Sequence, residues 1–98
     1  MAYVVDLERR EVKALRRVAP WRGKRVIEIG CGDGRLTLRI ARLGARVLAI
    51  DPDAASIRTA RRSLPERLAG RVRYRVMKAQ RIAIARESFD LALFSWSL

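Results

Sequence analysis

The feature that most constrains the fold of this chain is a glycine-rich turn, Gly30–Gly34, which directly follows the mostly apolar run Arg25–Ile29. A short apolar run bounded by turn residues predicts a buried strand. Apolar side chains recur at helical spacing after the turn, and a second apolar run ends at Asp51, seventeen residues after Gly34. The order of strand, glycine turn, helix, strand and acid is typical of a parallel α/β sheet.

Hydrophobic periodicity predicts the remaining elements. Pro20 ends an N-terminal amphipathic helix, Gly44 ends the helix after the glycine turn, and Asp53 is a candidate N-cap of the next helix. The predicted helices are Val5–Ala19, Gly34–Leu43 and Ala54–Leu64, and the predicted strands are Arg25–Ile29, Arg46–Ile50, Arg71–Met77 and Phe89–Trp96. Residues 1–98 are therefore expected to form one α/β domain, with a helix in 1–20 and a three-layer parallel sheet in 21–98.

The third predicted strand, Arg71–Met77, has a regular alternation of side chains. Its three arginines point to one face, and Val72, Tyr74 and Val76 point to the other. Because such alternation leaves one face in water, we expect this strand to lie at an edge of the sheet.

The chain is strongly basic, with 22 lysines and arginines against 10 acids and a net charge of +12. Only three of the basic residues are lysines, and Gln80 is the only glutamine. This charge favours RNA or another polyanion as a partner, and a solvated arginine-rich surface is the equal alternative. Many charges and few amides indicate a thermophilic source, although a GC-rich genome produces the same arginine bias.

The single cysteine and the absence of a long apolar run bear on the compartment. Cys31 cannot form a disulfide within the chain, and we interpret it as a small packing residue of the turn rather than a reactive thiol. The sequence has no stretch of about twenty apolar residues that would predict a membrane span, and it has no charged and then apolar segment that would suggest export. A cytoplasmic protein is therefore expected.

The glycine spacing distinguishes two classes of adenosine cofactor. Dinucleotide folds use G-x-G-x-x-G, and counting from Gly30 puts Arg35 at the third glycine position. A P-loop is excluded because no G-K-[ST] follows. The chain instead has E-x-G-x-G-x-G from Glu28, which suits a cofactor with a methionyl group and no phosphate.

These motifs resemble those of class I S-adenosylmethionine-dependent methyltransferases. The resemblance runs from Trp21 to the C-terminus and rests on three segments in order, namely Val26–Gly34, Ala49–Asp53 and Glu87–Leu98. It implies a Rossmann-like sheet with strand order 3-2-1-4 and S-adenosylmethionine as cofactor. In this reading Glu28 meets the cofactor's amino group, the turn wraps the methionyl part, and Asp51 accepts hydrogen bonds from both ribose hydroxyls. The cofactor-binding residues that it implies are Glu28, Gly30, Cys31, Gly32, Gly34, Asp51, Pro52, Ala79 and Ser95.

Two departures from the family pattern stand out. Lys78 occupies the position of the family's adenine-binding aspartate, and an ammonium group cannot accept the adenine amino proton. The family's fold has seven strands, and only four are predicted here, so the sheet is truncated. The fourth strand, Phe89–Trp96, would then have an exposed apolar edge, which predicts either a homodimer through that edge or a fragment of a longer protein.

Two functions are therefore open at this point. The first is the cofactor-binding half of an S-adenosylmethionine-dependent methyltransferase, which transfers a methyl group mainly by positioning its substrates. The second is an inactive, basic nucleic-acid-binding or scaffold module that retains the fold. Ser95 and Trp96 are candidates to lie near the methyl donor, and no catalytic base, metal ligand or methyl acceptor is assigned.

Overall fold

The computed structural model describes residues 3–6, 20–78 and 88–95. These ranges contain five strands, two α-helices and one 3-10 turn. The strands are β1 (Tyr3–Asp6), β2 (Arg25–Ile29), β3 (Arg46–Asp51), β4 (Val72–Val76) and β5 (Leu91–Phe94). The helices are α1 (Arg35–Arg42) and α2 (Ala54–Ser63), and the 3-10 turn is Glu66–Leu68. None of the helices in these ranges has the length and apolar character that crossing a membrane requires.

The strands form one parallel sheet in the order β1-β5-β2-β3-β4. Val26 of β2 lies opposite Val47 of β3 and Leu91 of β5, and Val47 lies opposite Val72 of β4. The four strands predicted from the sequence therefore have the expected order 3-2-1-4, and the Rossmann-like fold class is confirmed. Parallel pairing brings the carboxyl ends of β2, β3 and β5 to the same edge of the sheet, where the glycine turn begins.

The N-terminal strand β1 corrects two expectations. The helix predicted to begin at Val5 is wrong for Val5 and Asp6, which belong to β1, and the rest of that helix lies outside the described residues. The edge of β5 is not open, because β1 pairs with it in parallel with Tyr3 opposite Leu91. The prediction of an exposed apolar edge is therefore wrong, and the dimer that was inferred from it stays a prediction.

Both helices pack on one face of the sheet. The connections β2-α1-β3 and β3-α2-β4 each advance one strand in the same direction, and right-handed crossovers then place both helices on the same side. Ile40 of α1 and Ile57 of α2 are fully buried, which stabilises the fold by about 1.5–3 kcal/mol for each side chain. Alternate residues of the strands complete this core, namely Val26, Val47, Ala49, Val72, Tyr74, Leu91 and Leu93.

The ends of the helices follow the predicted signals. Gly44 has φ of +101° directly after α1, a conformation that glycine adopts without strain, so it ends the helix as expected. The Asp53 side chain accepts a hydrogen bond from the backbone N–H of Ala55 at 3.3 Å and caps α2.

The edge strand β4 confirms most of the predicted alternation. Val72 and Tyr74 are buried, whereas Arg73 and Arg75 are exposed. Val76 departs from the pattern, because 51% of its surface is exposed although it was expected to share the buried face. It is the last residue of β4.

Candidate functional site

The glycine turn is fastened to the end of β3. The backbone N–H groups of Gly30 and Cys31 both donate to the carbonyl oxygen of Ile50, at 2.9 Å and 3.1 Å. The turn then closes through a 3.0 Å hydrogen bond from the N–H of Gly34 to the carbonyl of Cys31. These bonds hold the backbone at the carboxyl edge of the sheet in a fixed shape, with α1 starting directly after it.

Asp51 joins the turn from the end of β3. Its Oδ2 accepts a 3.0 Å hydrogen bond from the N–H of Gly32, and its Oδ1 accepts a 2.9 Å hydrogen bond from the N–H of Asp53. A carboxylate has about four acceptor positions, so about two of them stay open on Asp51. The carboxylate is therefore held in one orientation and can still accept hydrogen bonds from a ligand.

Glu28 lies beneath the turn and is fully buried. The hydroxyl of Thr37 on α1 donates to its Oε1 at 2.5 Å, and its Oε2 has no hydrogen-bond partner among the described residues. Burial raises the pKa of Glu28 to about 7, and the neighbouring hydroxyls of Thr37 and Ser95 oppose that rise only in part. Glu28 is therefore an ionisable group near neutrality in the floor of the site.

Ser95 links the end of β5 to the turn. Its hydroxyl donates to the carbonyl oxygen of Gly30 at 2.9 Å, and its backbone N–H donates to the carbonyl of Ile29 at 3.1 Å. The side chain is buried, with 3% of its surface exposed. Ser95 thus holds the first glycine of the turn from the opposite side to β3.

Gly34 and Tyr74 form a tight contact between the turn and β4. A Cβ at Gly34 would lie 2.5 Å from the Tyr74 hydroxyl oxygen, and Gly34 has φ of +88°. Both facts demand glycine here. Burial raises the pKa of Tyr74 to about 12, so this phenol is neutral at physiological pH.

The turn borders a cleft of about 290 Å³. The lining residues are Gly30, Cys31, Gly32, Asp33, Arg35, Leu36, Ser56 and Ser95. Four of the residues expected to bind the cofactor thus line one cleft, namely Gly30, Cys31, Gly32 and Ser95. Asp51 contacts the lining of the cleft through its hydrogen bond with the backbone N–H of Gly32. Glu28 and Gly34 are buried and do not line the cleft. Pro52 is exposed next to Asp51, and Ala79 and Trp96 lie outside the described residues.

The structure places Cys31 and Lys78 in opposite environments, one buried and the other exposed. Cys31 is buried, and burial together with the nearby carboxylates of Glu28 and Asp51 raises the pKa of its thiol, so it is a packing residue rather than a nucleophile. The Lys78 side chain is exposed. In the described parts of the chain, no three His, Cys, Asp or Glu side chains come together as a metal site.

Sequence reasoning missed six residues of this site, of which Asp33, Arg35 and Leu36 line the cleft beside the predicted residues. Thr37 is a polar residue among the buried positions of α1, and that position was the signal for a buried partner of Glu28. Ser56 lines the cleft from the first turn of α2. Tyr74 had been assigned only to the buried face of β4, and nothing local in the sequence indicates its contact with Gly34.

Comparison with known proteins agrees with this geometry. The profile of a methyltransferase domain family matches residues 26–98. A ubiquinone biosynthesis O-methyltransferase from Rhizobium rhizogenes is 41% identical over 75 residues, which cover 76% of this chain and 29% of that protein. The chain therefore spans about three tenths of the length of this curated relative.

Solved structures show the same fold. An S-adenosylmethionine-dependent methyltransferase from Mesorhizobium loti superposes with a TM-score of 0.73 at 28% identity, over 86% of this chain and 38% of that one. A magnesium protoporphyrin IX methyltransferase from Synechocystis, with bound S-adenosylmethionine, superposes with a TM-score of 0.59 at 26% identity, over 68% of this chain and 33% of that one. The family profile covers most of the chain, and the sheet order and the glycine turn agree with it. This chain therefore belongs to the class I S-adenosylmethionine-dependent methyltransferases.

Proposed function

We propose that this chain is the cofactor-binding half of a methyltransferase and that its glycine turn and Asp51 hold S-adenosylmethionine. The observation that carries the proposal is the fixed carboxylate of Asp51 beside the open backbone of Gly32, which are joined by a 3.0 Å hydrogen bond. The methyl acceptor is not part of the proposal, because the chain covers only about three tenths of its curated relative.

The space around Gly32 supports this assignment. A Cβ built on Gly32 meets nothing within 4 Å, so the backbone faces open space that a ligand can fill. The turn borders a cleft of about 290 Å³, close to the lower end of the usual size of small-molecule sites. The residues present therefore fit the methionyl end of the cofactor, which needs close backbone approach and no phosphate-binding group.

Asp51 suits the ribose of the cofactor. Its two oxygens are fixed by the N–H groups of Gly32 and Asp53, and each retains room for another donor. Two adjacent hydroxyls on one sugar would donate to the two oxygens of a single carboxylate, and hydrogen bonds to a charged acceptor are among the strong ones. In this proposal Asp51 selects a ribose with both hydroxyls free.

Glu28 suits the floor of the site. Its unpartnered Oε2 leaves a buried acceptor, and burial of such a group without a partner is costly. A cationic amino group bound above the turn would favour the charged form of Glu28, either directly or through water. Thr37 keeps the carboxyl in one orientation through its hydrogen bond to Oε1.

Catalysis in this proposal depends on positioning. S-adenosylmethionine, when bound, supplies a methyl group on a sulfonium centre that a nucleophile can attack directly. The residues of this chain would hold the cofactor at one end of the sheet and keep its orientation fixed, which makes the reaction of two bound partners faster. No residue here is assigned as a general base.

Titration with S-adenosylhomocysteine by calorimetry tests the proposal. Asp51→Asn removes the charge of the carboxylate at the turn, and Asp90→Asn is a matched control at the opposite end of the sheet, where Asp90 pairs with Arg25. We expect wild type and Asp90→Asn to bind equally and Asp51→Asn to bind at least about tenfold more weakly, since charged hydrogen bonds contribute about 1.5–3 kcal/mol. A folded wild-type chain that does not bind at millimolar ligand would refute the assignment.

The same titration distinguishes this proposal from the alternative of an inactive basic module. Such a module would retain the fold and fail to bind S-adenosylhomocysteine. The cytoplasmic location, the thermophilic source and the homodimer are further predictions that rest on the sequence alone.

A further inference from the structure

A second cleft lies at the opposite end of the sheet from the glycine turn. Its volume is about 360 Å³, and five of its lining residues are arginines. The lining residues are Arg25, Arg46, Val47, Leu48, Gly70, Arg71, Arg73, Arg75, Ser88 and Phe89. None of these described residues is acidic, so the part of the cleft that they line is strongly positive.

Strand register explains why these arginines meet. Arg25 and Arg46 are the first residues of β2 and β3 and lie opposite each other. Arg71 directly precedes Val72, which lies opposite Val47, so Arg71 stands next to Arg46 at the start of β4. Neighbouring strands are about 4.8 Å apart, and the three arginines therefore form a row of about 10 Å across the amino edge of the sheet.

Arg73 and Arg75 extend this row along β4. Side chains of a strand alternate between faces, so both lie on the same face as Arg71. This face is opposite to the one that α1 and α2 cover. The five arginines, which we name the arginine cleft, thus occupy one corner of one sheet face.

The charges of the arginine cleft are mostly unpaired among the described residues. Asp90 pairs with Arg25 at 3.5 Å, and the ion pair lies at the rim of the sheet. No described carboxylate lies within ion-pair distance of the other four arginines. The Nε of Arg71 is buried and has no hydrogen-bond partner among the described residues. Burying a charged donor without an acceptor is costly, which indicates that an anion completes this site.

The arginines of α2 contribute little to this positive surface. Arg61 reaches the β4 edge, where its guanidinium donates to the carbonyl oxygen of Tyr74 at 2.7 Å, and it borders a shallow cleft with Arg73 and Arg75. Arg58 and Arg62 are exposed on α2 and do not line either cleft. The positive surface is therefore centred on the sheet rather than on the helix.

We propose that the arginine cleft binds the phosphodiester backbone of a single-stranded nucleic acid. A planar guanidinium donates two parallel hydrogen bonds to a phosphate, and a regular row of arginines matches a ligand with regularly repeated charges. Phe89 is half-buried in the same cleft and offers a ring against which a base can stack. The net charge of +12 would attract such a strand from a distance.

The arginine cleft is separate from the proposed cofactor site. Its row of Arg25, Arg46 and Arg71 stands at the amino ends of the strands, whereas the glycine turn follows their carboxyl ends. Five residues of β2 at about 3.3 Å each separate this row from the turn by roughly 13–16 Å. Arg75 lies nearer to the turn, because it is opposite Ile50 in the strand register, but it belongs to the sheet face that α1 and α2 do not cover. Titration of the same variants with S-adenosylhomocysteine therefore shows whether nucleic-acid binding and cofactor binding are independent.

Fluorescence anisotropy with a labelled single-stranded RNA tests the proposal. Arg73→Gln/Arg75→Gln removes two charges from the arginine cleft, and Arg39→Gln/Arg42→Gln removes two exposed charges from α1 on the other face. For wild type, three to five phosphate contacts predict that log K falls with log salt with a slope of about −2 to −3.5. We expect the β4 pair to bind at least about tenfold more weakly and to reduce the slope by about 1.4, and the α1 pair to change both far less.

Three outcomes would overturn the proposal. The first is a wild-type chain that does not bind RNA at low salt. The second is an equal loss of RNA affinity in the β4 pair and the α1 pair, because net charge alone would then explain the binding. Equal binding of polyglutamate with the same sensitivity to the β4 pair would assign the cleft to an acidic protein instead. Circular dichroism confirms that each variant is folded, and titration with S-adenosylhomocysteine shows separately whether the cofactor proposal holds.

Discussion

Replacement of Gly34 by alanine probes the contact that joins the glycine turn to the sheet. The new Cβ would lie 2.5 Å from the hydroxyl oxygen of Tyr74, 3.1 Å from its Cζ and 3.2 Å from the Cβ of Ala60. The backbone at Gly34 also has φ of +88°, a conformation that strains any residue with a Cβ. Two independent costs therefore act on the same substitution.

The two costs can be separated with Gly23→Ala as control. Gly23 has φ of +73°, and a Cβ there meets nothing within 4 Å, so only the backbone strain of about 1–2 kcal/mol applies. At Gly34 the overpacking against Tyr74 adds about 1–3 kcal/mol. We therefore expect Gly34→Ala to lower the free energy of unfolding by about 2–5 kcal/mol, a large part of the 5–15 kcal/mol that is usual for such domains.

Urea denaturation measures the backbone strain and the overpacking cost separately. The variants to compare are Gly34→Ala, Gly23→Ala, Tyr74→Phe and the double variant Gly34→Ala/Tyr74→Phe. The Tyr74 hydroxyl has no hydrogen-bond partner among the described residues, so Tyr74→Phe should cost little by itself. Removing that oxygen also removes the shortest contact of the new Cβ. The double variant should therefore recover much of the overpacking cost and none of the backbone strain.

The reasoning would be refuted if Gly34→Ala were no less stable than Gly23→Ala. It would also fail if Tyr74→Phe gave no recovery in the double variant, because the hydroxyl would then not be the group that excludes a side chain at Gly34. Either result would mean that the turn moves away from β4 at little cost.

Three further predictions concern the site and its strands. The pKa of Glu28 rises from 4.5 to about 7 on folding, so the ligand-free chain should lose about 3 kcal/mol of stability as pH rises from about 5 to about 8, and Glu28→Gln should abolish that loss in urea titrations at both pH values. Ser95→Ala removes the hydroxyl that donates to Gly30 and should lower the free energy of unfolding by about 1 kcal/mol; an unchanged urea midpoint would contradict this. Val76→Thr should change stability by less than about 0.5 kcal/mol, whereas Val72→Thr in the core should cost clearly more, and thermal melts of the two variants compare them directly.

The local elements of this fold were predictable because their causes lie close together in the chain. The apolar run before Gly30 specifies β2, the 3.6-residue spacing specifies α1 and α2, and Asp53 caps α2 through a residue two positions away. The placement of Asp51 beside the turn was also predictable, since parallel strands bring their carboxyl ends to one edge. Each of these inferences needs only sequence spacing and elementary backbone geometry.

The contacts that distant segments make were not predictable in the same way. The partnership of Glu28 with Thr37 depends on how α1 is rotated against the sheet. The clash that forbids a side chain at Gly34 involves Tyr74, forty residues later, and depends on how β4 packs beneath the turn. The strand Tyr3–Asp6 had been assigned in part to a helix, because pairing with β5 overrides a weak local preference.

The sequence by itself determined the parallel α/β class, the glycine turn and the acid at the end of the second strand of the predicted sheet, because hydrophobic period and glycine spacing act within a few residues. Only the tertiary structure decided that β1 covers the edge of β5, that Glu28 is buried with a pKa near 7, and that five arginines from three strands share one cleft. Strand register and burial arise from the packing of segments far apart in the chain, and local spacing does not contain that information.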